Sequence, residues 1–292
     1  MIRPRKPFVA LLLSVVPGLG QIYNGQLPKG LLLLLFDLLF PVLFGVSGVL
    51  LKMSGLMIMA LVGVAFFIYR MVDAFIVAKR LKPYELKPFN KWYTYLVFTL
   101  CIFGIRYFLD APTSTGILTL RVPTPSMVPT ILPGDFVVAQ LNAYDDRQIN
   151  YGDIVIFNAP NGSIWTHRVV ALPLDTLEIV EGKVLVNGQA NETRKFSESV
   201  YGDEAGFEFE ERLPHGKQIK IFMFKDNPYP EGRTAYKRVI PQNEYFLMGD
   251  SRDNAMDSRF IGPIKKDQII GRVIYSYWGS TSERINVDLT LQ

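Results

Sequence analysis

Pro123-Thr124-Pro125-Ser126-Met127-Val128-Pro129-Thr130-Ile131-Leu132-Pro133-Gly134-Asp135 runs directly into Phe136-Val137-Val138-Ala139-Gln140-Leu141. The first stretch is too proline-dense for a helix, because each proline fixes φ and removes a backbone donor. Pro133-Gly134-Asp135 supplies a turn, and the six residues after it are mostly β-branched or aromatic. The same texture recurs at 153–157, 164–171 and 268–278, and it predicts an all-β domain after Asp110. Tyr151-Gly152-Asp153 marks another turn, and Asn187-Gly188 follows the run 183–186 as a hairpin turn would. Residues 191–238 are more charged and richer in glycine and proline; they are expected to form an insertion, irregular apart from a strand at 218–224.

Upstream of this domain the composition changes. Hydrophobic residues make up 49% of the 292, high for a chain with 20% charged residues, and they are concentrated in the first third. Runs 30–51 and 55–78 are long and apolar enough to cross a hydrocarbon core about 30 Å thick. A third run, 92–109, is shorter and carries Arg106 near its end, where a long side chain can reach the headgroups. Residues 8–19 are too short to cross and are broken by Pro17 and Gly18, which favours an interfacial or re-entrant element. Arg3, Arg5 and Lys6 precede the first span, and Lys79, Arg80, Lys82, Lys87 and Lys91 lie between the second and third. By the positive-inside rule both groups belong in the cytoplasm, so three crossings place the β domain on the outer face of the cytoplasmic membrane. The expected organisation is a membrane module at 1–91, an anchor at 92–110 and a catalytic domain at 111–292 with the insertion at about 191–238.

The formal charge of +4 is absorbed by this topology and calls for no nucleic acid partner. A single cysteine, Cys101, excludes an internal disulfide framework and a cysteine-histidine metal site.

Chemistry is expected in three places. Ser126 sits alone in the rigid proline-rich loop, and a serine hydroxyl needs a base and an oxyanion site to attack a carbonyl. His167, in Ile164-Trp165-Thr166-His167-Arg168-Val169-Val170, shares a strand face with Trp165 and Val169. His215, between Pro214 and Gly216, reads as a solvated loop residue. The third place is Met248-Gly249-Asp250-Ser251-Arg252-Asp253-Asn254-Ala255-Met256-Asp257-Ser258-Arg259. It is acidic, but it lacks the twelve-residue spacing and closing glutamate of a helical calcium loop.

In order, these stretches resemble the type I signal peptidase family over about the last 200 residues. Ser126-Met127-x-Pro129-Thr130 with Gly134-Asp135 looks like the nucleophile box, Gly152-Asp153-Ile154-Val155 like the next strand, and Gly249-Asp250-x-Arg252-Asp253-Asn254 with Asp257-Ser258-Arg259 like the last box. The resemblance implies a membrane-anchored, β-rich, signal-peptidase-like catalytic domain preceded by about three transmembrane helices. It also implies a serine endopeptidase without metal or cofactor that removes signal peptides from exported preproteins. Small side chains before the cut would enter shallow pockets near Val122, Met127 and Val169. The oxyanion donors would be the Ser126 N–H and the Thr124 hydroxyl. Asp250, Arg252, Asp253 and Arg259 would orient the site. Membrane lipids and the export machinery are the further expected partners.

The departures from the family pattern are informative. Where bacterial members usually carry Lys-Arg-Val, this chain has His167-Arg168-Val169, so histidine replaces lysine as base, and Ala255 stands for the usual serine of the last box. A histidine base prefers an acid to hold its tautomer; Asp257 is the expected acid and Asp250 the reserve. Pro125 replaces a more usual glycine. Lys237, in Tyr236-Lys237-Arg238-Val239, mimics the lysine-type strand; its position just before Tyr245 places it in the strand entering the last box, and it is kept as the alternative base. Two other readings stay open: a related peptidase with a dedicated substrate such as a pilin or conjugation protein, and an inactive membrane-tethered binding module. The motif Pro17-x-Leu19-Gly20-Gln21-x-Tyr23-x-Gly25 resembles small two-helix membrane modules.

Overall fold

A computed structural model describes residues 4–81, 84–109, 111–227 and 235–292. Arg3 and Lys82, which enter the charge reading, lie outside the described residues, as do Asp110 at the expected start of the β domain and 228–234 of the expected insertion. Two compact units are present, Met1–Ile117 and Leu118–Gln292.

The first unit is helical: α1 (Pro7–Leu13), α2 (Leu19–Tyr23), α3 (Leu27–Val46), α4 (Met53–Arg80), α5 (Trp92–Phe108) and α6 (Ala111–Thr115). Helices α3 and α4 are long and apolar enough to cross a membrane, and α5 is a shorter apolar helix of 17 residues. The first apolar run differs from its expected bounds. Helix α3 starts earlier because Pro28 suits a first turn, where no backbone donor is needed. It stops at Val46, leaving Val49–Leu51 as one 3-10 turn. Residues 8–19 divide between two short helices because Gly18 turns the chain at φ 77°. Helix α1 rests on α4 through Ala10, Ala74 and Ala78, all fully buried, since small residues let the backbones approach. Some polar groups among these helices pair across them: Gln21 Nε2 donates to the Arg70 carbonyl at 2.9 Å, and Lys29 meets Asp73 at 2.6 Å.

The second unit is built from strands. They are β1 (Ile117–Arg121), β2 (Phe136–Leu141), β3 (Ile154–Asn158), β4 (Ile164–Ala171), β5 (Thr176–Val180), β6 (Lys183–Val186), β7 (Gln189–Ala190), β8 (Glu192–Tyr201), β9 (Glu204–Arg212), β10 (Gln218–Phe224), β11 (Tyr236–Val239), β12 (Glu244–Met248), β13 (Ile264–Lys265), β14 (Ile269–Trp278) and β15 (Val287–Asp288). The main sheet runs β1-β2-β14-β3-β4-β12-β13, with β15 added on β14. Its central strands β3 and β4 are antiparallel and place His167 opposite Val155. They are buried on both faces, and each fully buried Val or Ile contributes about 1.5–3 kcal/mol. Val137, Ile154, Ile156 and Val273 fill one cluster, and Val155, Phe157, Val169 and Leu247 another. The hairpin expected at Asn187-Gly188 is present, with both residues at positive φ between paired Val186 and Gln189.

Two expectations are corrected here. The stretch from residue 191 is not irregular: β8, β9 and β10 form a three-stranded antiparallel sheet with long pairing, shifted in register once between Lys195 and Ser197. Strand β11, with Lys237, does not extend the strand entering the last box; it pairs with β5 in a separate four-stranded sheet.

Candidate active site

Between β1 and β2 the proline-rich loop tightens into one 3-10 turn, Pro125–Met127, which lifts Ser126 to the surface and drives Met127 inward. Ser126 faces a cleft of about 540 Å³ whose walls include Thr124, Trp165, His167, Asn254 and Met256. Serine and histidine, far apart in the chain, therefore line one cavity. The Ser126 hydroxyl lies 3.1 Å from that of Thr124.

His167 is only 3% exposed. Its ring lies against Phe157, with centroids 5.5 Å apart, and against Trp165 at 6.1 Å in an edge arrangement. Burial pushes the imidazole below its ordinary value, because a charged ring is poorly solvated there; the Asp257 charge opposes that shift, Arg259 adds to it, and Asp250 opposes it.

The acids are placed differently from the expectation. Asp257 is fully buried, but its oxygens accept from Gly249 N at 2.9 Å, Arg259 N at 3.1 Å, Arg259 Nε at 2.8 Å and Arg259 Nη2 at 2.7 Å. His167 Nδ1 is buried without a hydrogen-bond partner. The bonds of Asp257 instead hold the Gly249 end of the last box and cap α7 (Ser258–Ile261). Asp250 belongs to Arg168 instead, accepting from Nε at 2.7 Å and Nη2 at 2.6 Å. Strand alternation explains this, since Arg168 points to the face opposite His167. Asp253 accepts from Phe224 N at 2.9 Å, and Arg252 pairs with Glu211.

Of the three expected pocket residues only Val122 lines the cleft. Met127 and Val169 are fully buried in the two core clusters, because the 3-10 turn points Met127 inward and Val169 lies further along β4, paired with Leu247 of the neighbouring strand β12. Leu120, Ile164, Trp165 and Met256 take their place on the cleft walls. Trp165 was legible as the neighbour of His167 by alternation; Met256 carried no signal.

Lys237 lies outside this cleft, 71% exposed and ion-paired with Glu178 across the β11–β5 ladder. Lys237→Ala should leave precursor cleavage within about twofold of the parent, surface pairs being worth about 0–1 kcal/mol. Loss of cleavage in that variant would restore lysine as the base.

No group of three or more His, Cys, Asp or Glu suited to a metal occurs among the described residues.

A family model described as "Signal peptidase, peptidase S26" matches residues 90–278. Signal peptidase IB of Staphylococcus aureus (strain MRSA252) is 28% identical over 162 residues, 55% of this chain and 78% of that protein. Signal peptidase I of Aquifex aeolicus (strain VF5) is 29% identical, covering 54% of this chain and 74% of its own length. A crystal structure of a signal peptidase I from Enterococcus faecalis V583 covers 43% of this chain and 97% of its own at 21% identity, with a TM-score of 0.26, too low to carry an argument. With the match spanning the Ser126 loop, the His167 strand and the last box, this chain belongs to the signal peptidase family, peptidase S26.

Proposed function

We infer that this chain is a serine endopeptidase that removes N-terminal signal peptides from preproteins, with Ser126 as nucleophile and His167 as base. The observation that carries the assignment of roles is the single cleft shared by the Ser126 hydroxyl, the Thr124 hydroxyl and a buried imidazole. Ser126 Oγ attacks the scissile carbonyl as His167 takes its proton. The developing oxyanion is met by the Ser126 N–H and the Thr124 hydroxyl. The imidazolium then protonates the leaving amine, and water, deprotonated by the same ring, hydrolyses the acyl-enzyme. Asp257 stabilises the imidazolium at a distance, its own charge held in place by Arg259. In this reading the apolar wall of Leu120, Val122 and Ile164 receives small side chains preceding the cut.

Helices α3, α4 and α5 are read as three crossings, with residues 1–91 as a membrane module whose basic loops face the cytoplasm. The catalytic unit then lies on the outer face of the cytoplasmic membrane, where exported chains emerge. Membrane lipids and the export machinery are the partners this topology implies.

The test is cleavage of a synthetic preprotein by the full chain in detergent micelles, both products being identified by mass. Its pH dependence follows from the site. The protonated ring cannot accept the serine proton, so kcat/KM rises with pH as His167 deprotonates. Burial places that limb below the ordinary imidazole value of about 6.5, with a plateau through pH 7 to 8. A limb centred at pH 8 or above would refute a histidine base.

A further inference from the structure

Glu211 is an acidic residue inside Glu208-Phe209-Glu210-Glu211, and nothing in that context separates it from a solvated charge. In the fold it is 2% exposed. Its Oε2 accepts from Arg252 Nη1 at 2.6 Å and its Oε1 from Arg252 Nη2 at 2.9 Å, with Asn191 Nδ2 adding a third bond to Oε1 at 2.9 Å. Both side chains of the pair are 3% exposed. Strand β9 is thereby fastened to the last box by a bidentate ion pair shielded from water.

The attachment continues through backbone. Phe222 N on β10 donates to the Asp250 carbonyl at 2.9 Å, and Arg252 N donates to the Phe222 carbonyl at 2.9 Å. Residues 250–252 therefore lie beside β10 as a parallel bridge centred on Ser251. The next bond reaches the nucleophile, since Ser251 N donates to the Ser126 carbonyl at 3.1 Å. The approach is close: a Cβ on Gly249 would fall 2.5 Å from that same carbonyl oxygen.

We propose that Glu211 is a positioning residue for the peptidase, setting through Arg252 and Ser251 the peptide plane that follows Ser126. This rests on Ser126 as the nucleophile. The three-stranded sheet is then part of the catalytic apparatus although none of its residues lines the cleft among the described residues. Reacting groups misplaced by about 1 Å can lose on the order of 100-fold in rate. The buried pair holds the last box in register against the nucleophile turn, so its loss is expected in turnover and not in affinity.

The experiment compares full-length Glu211→Gln, Glu211→Asp and the double variant Glu211→Met with Arg252→Met, all in micelles with the synthetic preprotein. Rates are normalised to folded protein by near-UV circular dichroism. The double variant is included because replacing a buried ion pair with apolar residues of similar volume is often neutral for stability. The expected result is a kcat about 10- to 100-fold lower per folded molecule in Glu211→Gln and in the double variant, KM within about threefold, and partial recovery in Glu211→Asp. The pH limb set by His167 should stay where it is while the plateau per folded molecule falls; a merely structural role lowers the total rate and leaves the rate per folded molecule at the parent's value. A kcat per folded molecule equal to the parent in the variants that fold overturns the proposal, and so does loss of fold in every variant with unchanged kcat in the folded remainder. Ser126→Ala, run alongside, separates the two claims: if it keeps cleavage, the assignment of the nucleophile fails, whereas its inactivity with fully active Glu211 variants sinks only the positioning role.

Discussion

Ser126→Ala in the full chain should abolish precursor cleavage, and His167→Ala should remove almost as much, each by about 10⁶-fold when nucleophile and base act as one unit. That factor corresponds to about 8 kcal/mol of barrier. The losses should not add, because either substitution alone disables the same proton transfer: an alkoxide-like attack needs the ring, and the ring has nothing to activate without the hydroxyl. The double variant is therefore expected at the level of the singles. Ser126→Ala should retain the parent melting temperature to within a few degrees, since the residue is half-buried and its hydroxyl bonds to that of Thr124. His167→Ala is expected to melt lower, since the imidazole fills space between Phe157 and Trp165. Normalising to folded protein removes that difference. Cleavage surviving Ser126→Ala would end the mechanism, and cleavage surviving His167→Ala while Lys237→Ala is inactive would move the base to the other sheet.

The sequence exposes some of this and conceals the rest for physical reasons. Residues 30–51 and 55–78 announce helices by length of apolar run alone, while the ends shift because a proline at position 28 favours a helix start that hydropathy does not register. The β character after Asp110 is legible from β-branched runs separated by turn residues. Strand β8 is not, because most of its residues are exposed and leave no alternation to read. Ser126 and His167 are legible through motif and strand neighbour, whereas the destination of Asp257's oxygens is not: Arg259, two residues on, reaches back to occupy them. Met127 and Val169 look like pocket residues by proximity in sequence and are core by direction of the side chain. Glu211 sits in an acidic run, and only tertiary pairing distinguishes it from its neighbours.

Breaking the Arg168–Asp250 pair should cost the catalytic unit more stability than any other single polar change considered. Arg168 is fully buried and Asp250 is 1% exposed, and two bonds of 2.7 and 2.6 Å join them in a fork. Arg168 also donates to the Gly152 carbonyl at 3.0 Å and the Thr130 hydroxyl at 3.2 Å, so one guanidinium ties β4 to the nucleophile loop, the β3 approach and the last box. Removing one partner of a buried pair leaves an uncompensated charge and typically costs about 3–5 kcal/mol. Asp250→Ala is expected to fall in that range. For a unit of this size each kcal/mol lowers the melting temperature by about 2–4 °C, which gives a drop of about 6–20 °C. Asp250→Asn preserves shape but not charge, and should recover little. Combining Asp250→Leu with Arg168→Met removes both charges together, so the double variant should be more stable than the sum of the singles by at least about 2 kcal/mol. Additive losses, or a change below about 1 kcal/mol in Asp250→Ala, would show that water reaches the pair and that its contribution is that of a surface bridge. Because neither side chain lines the cleft, the molecules that remain folded should keep far more activity than Ser126→Ala does, which separates a framework charge from a reacting group.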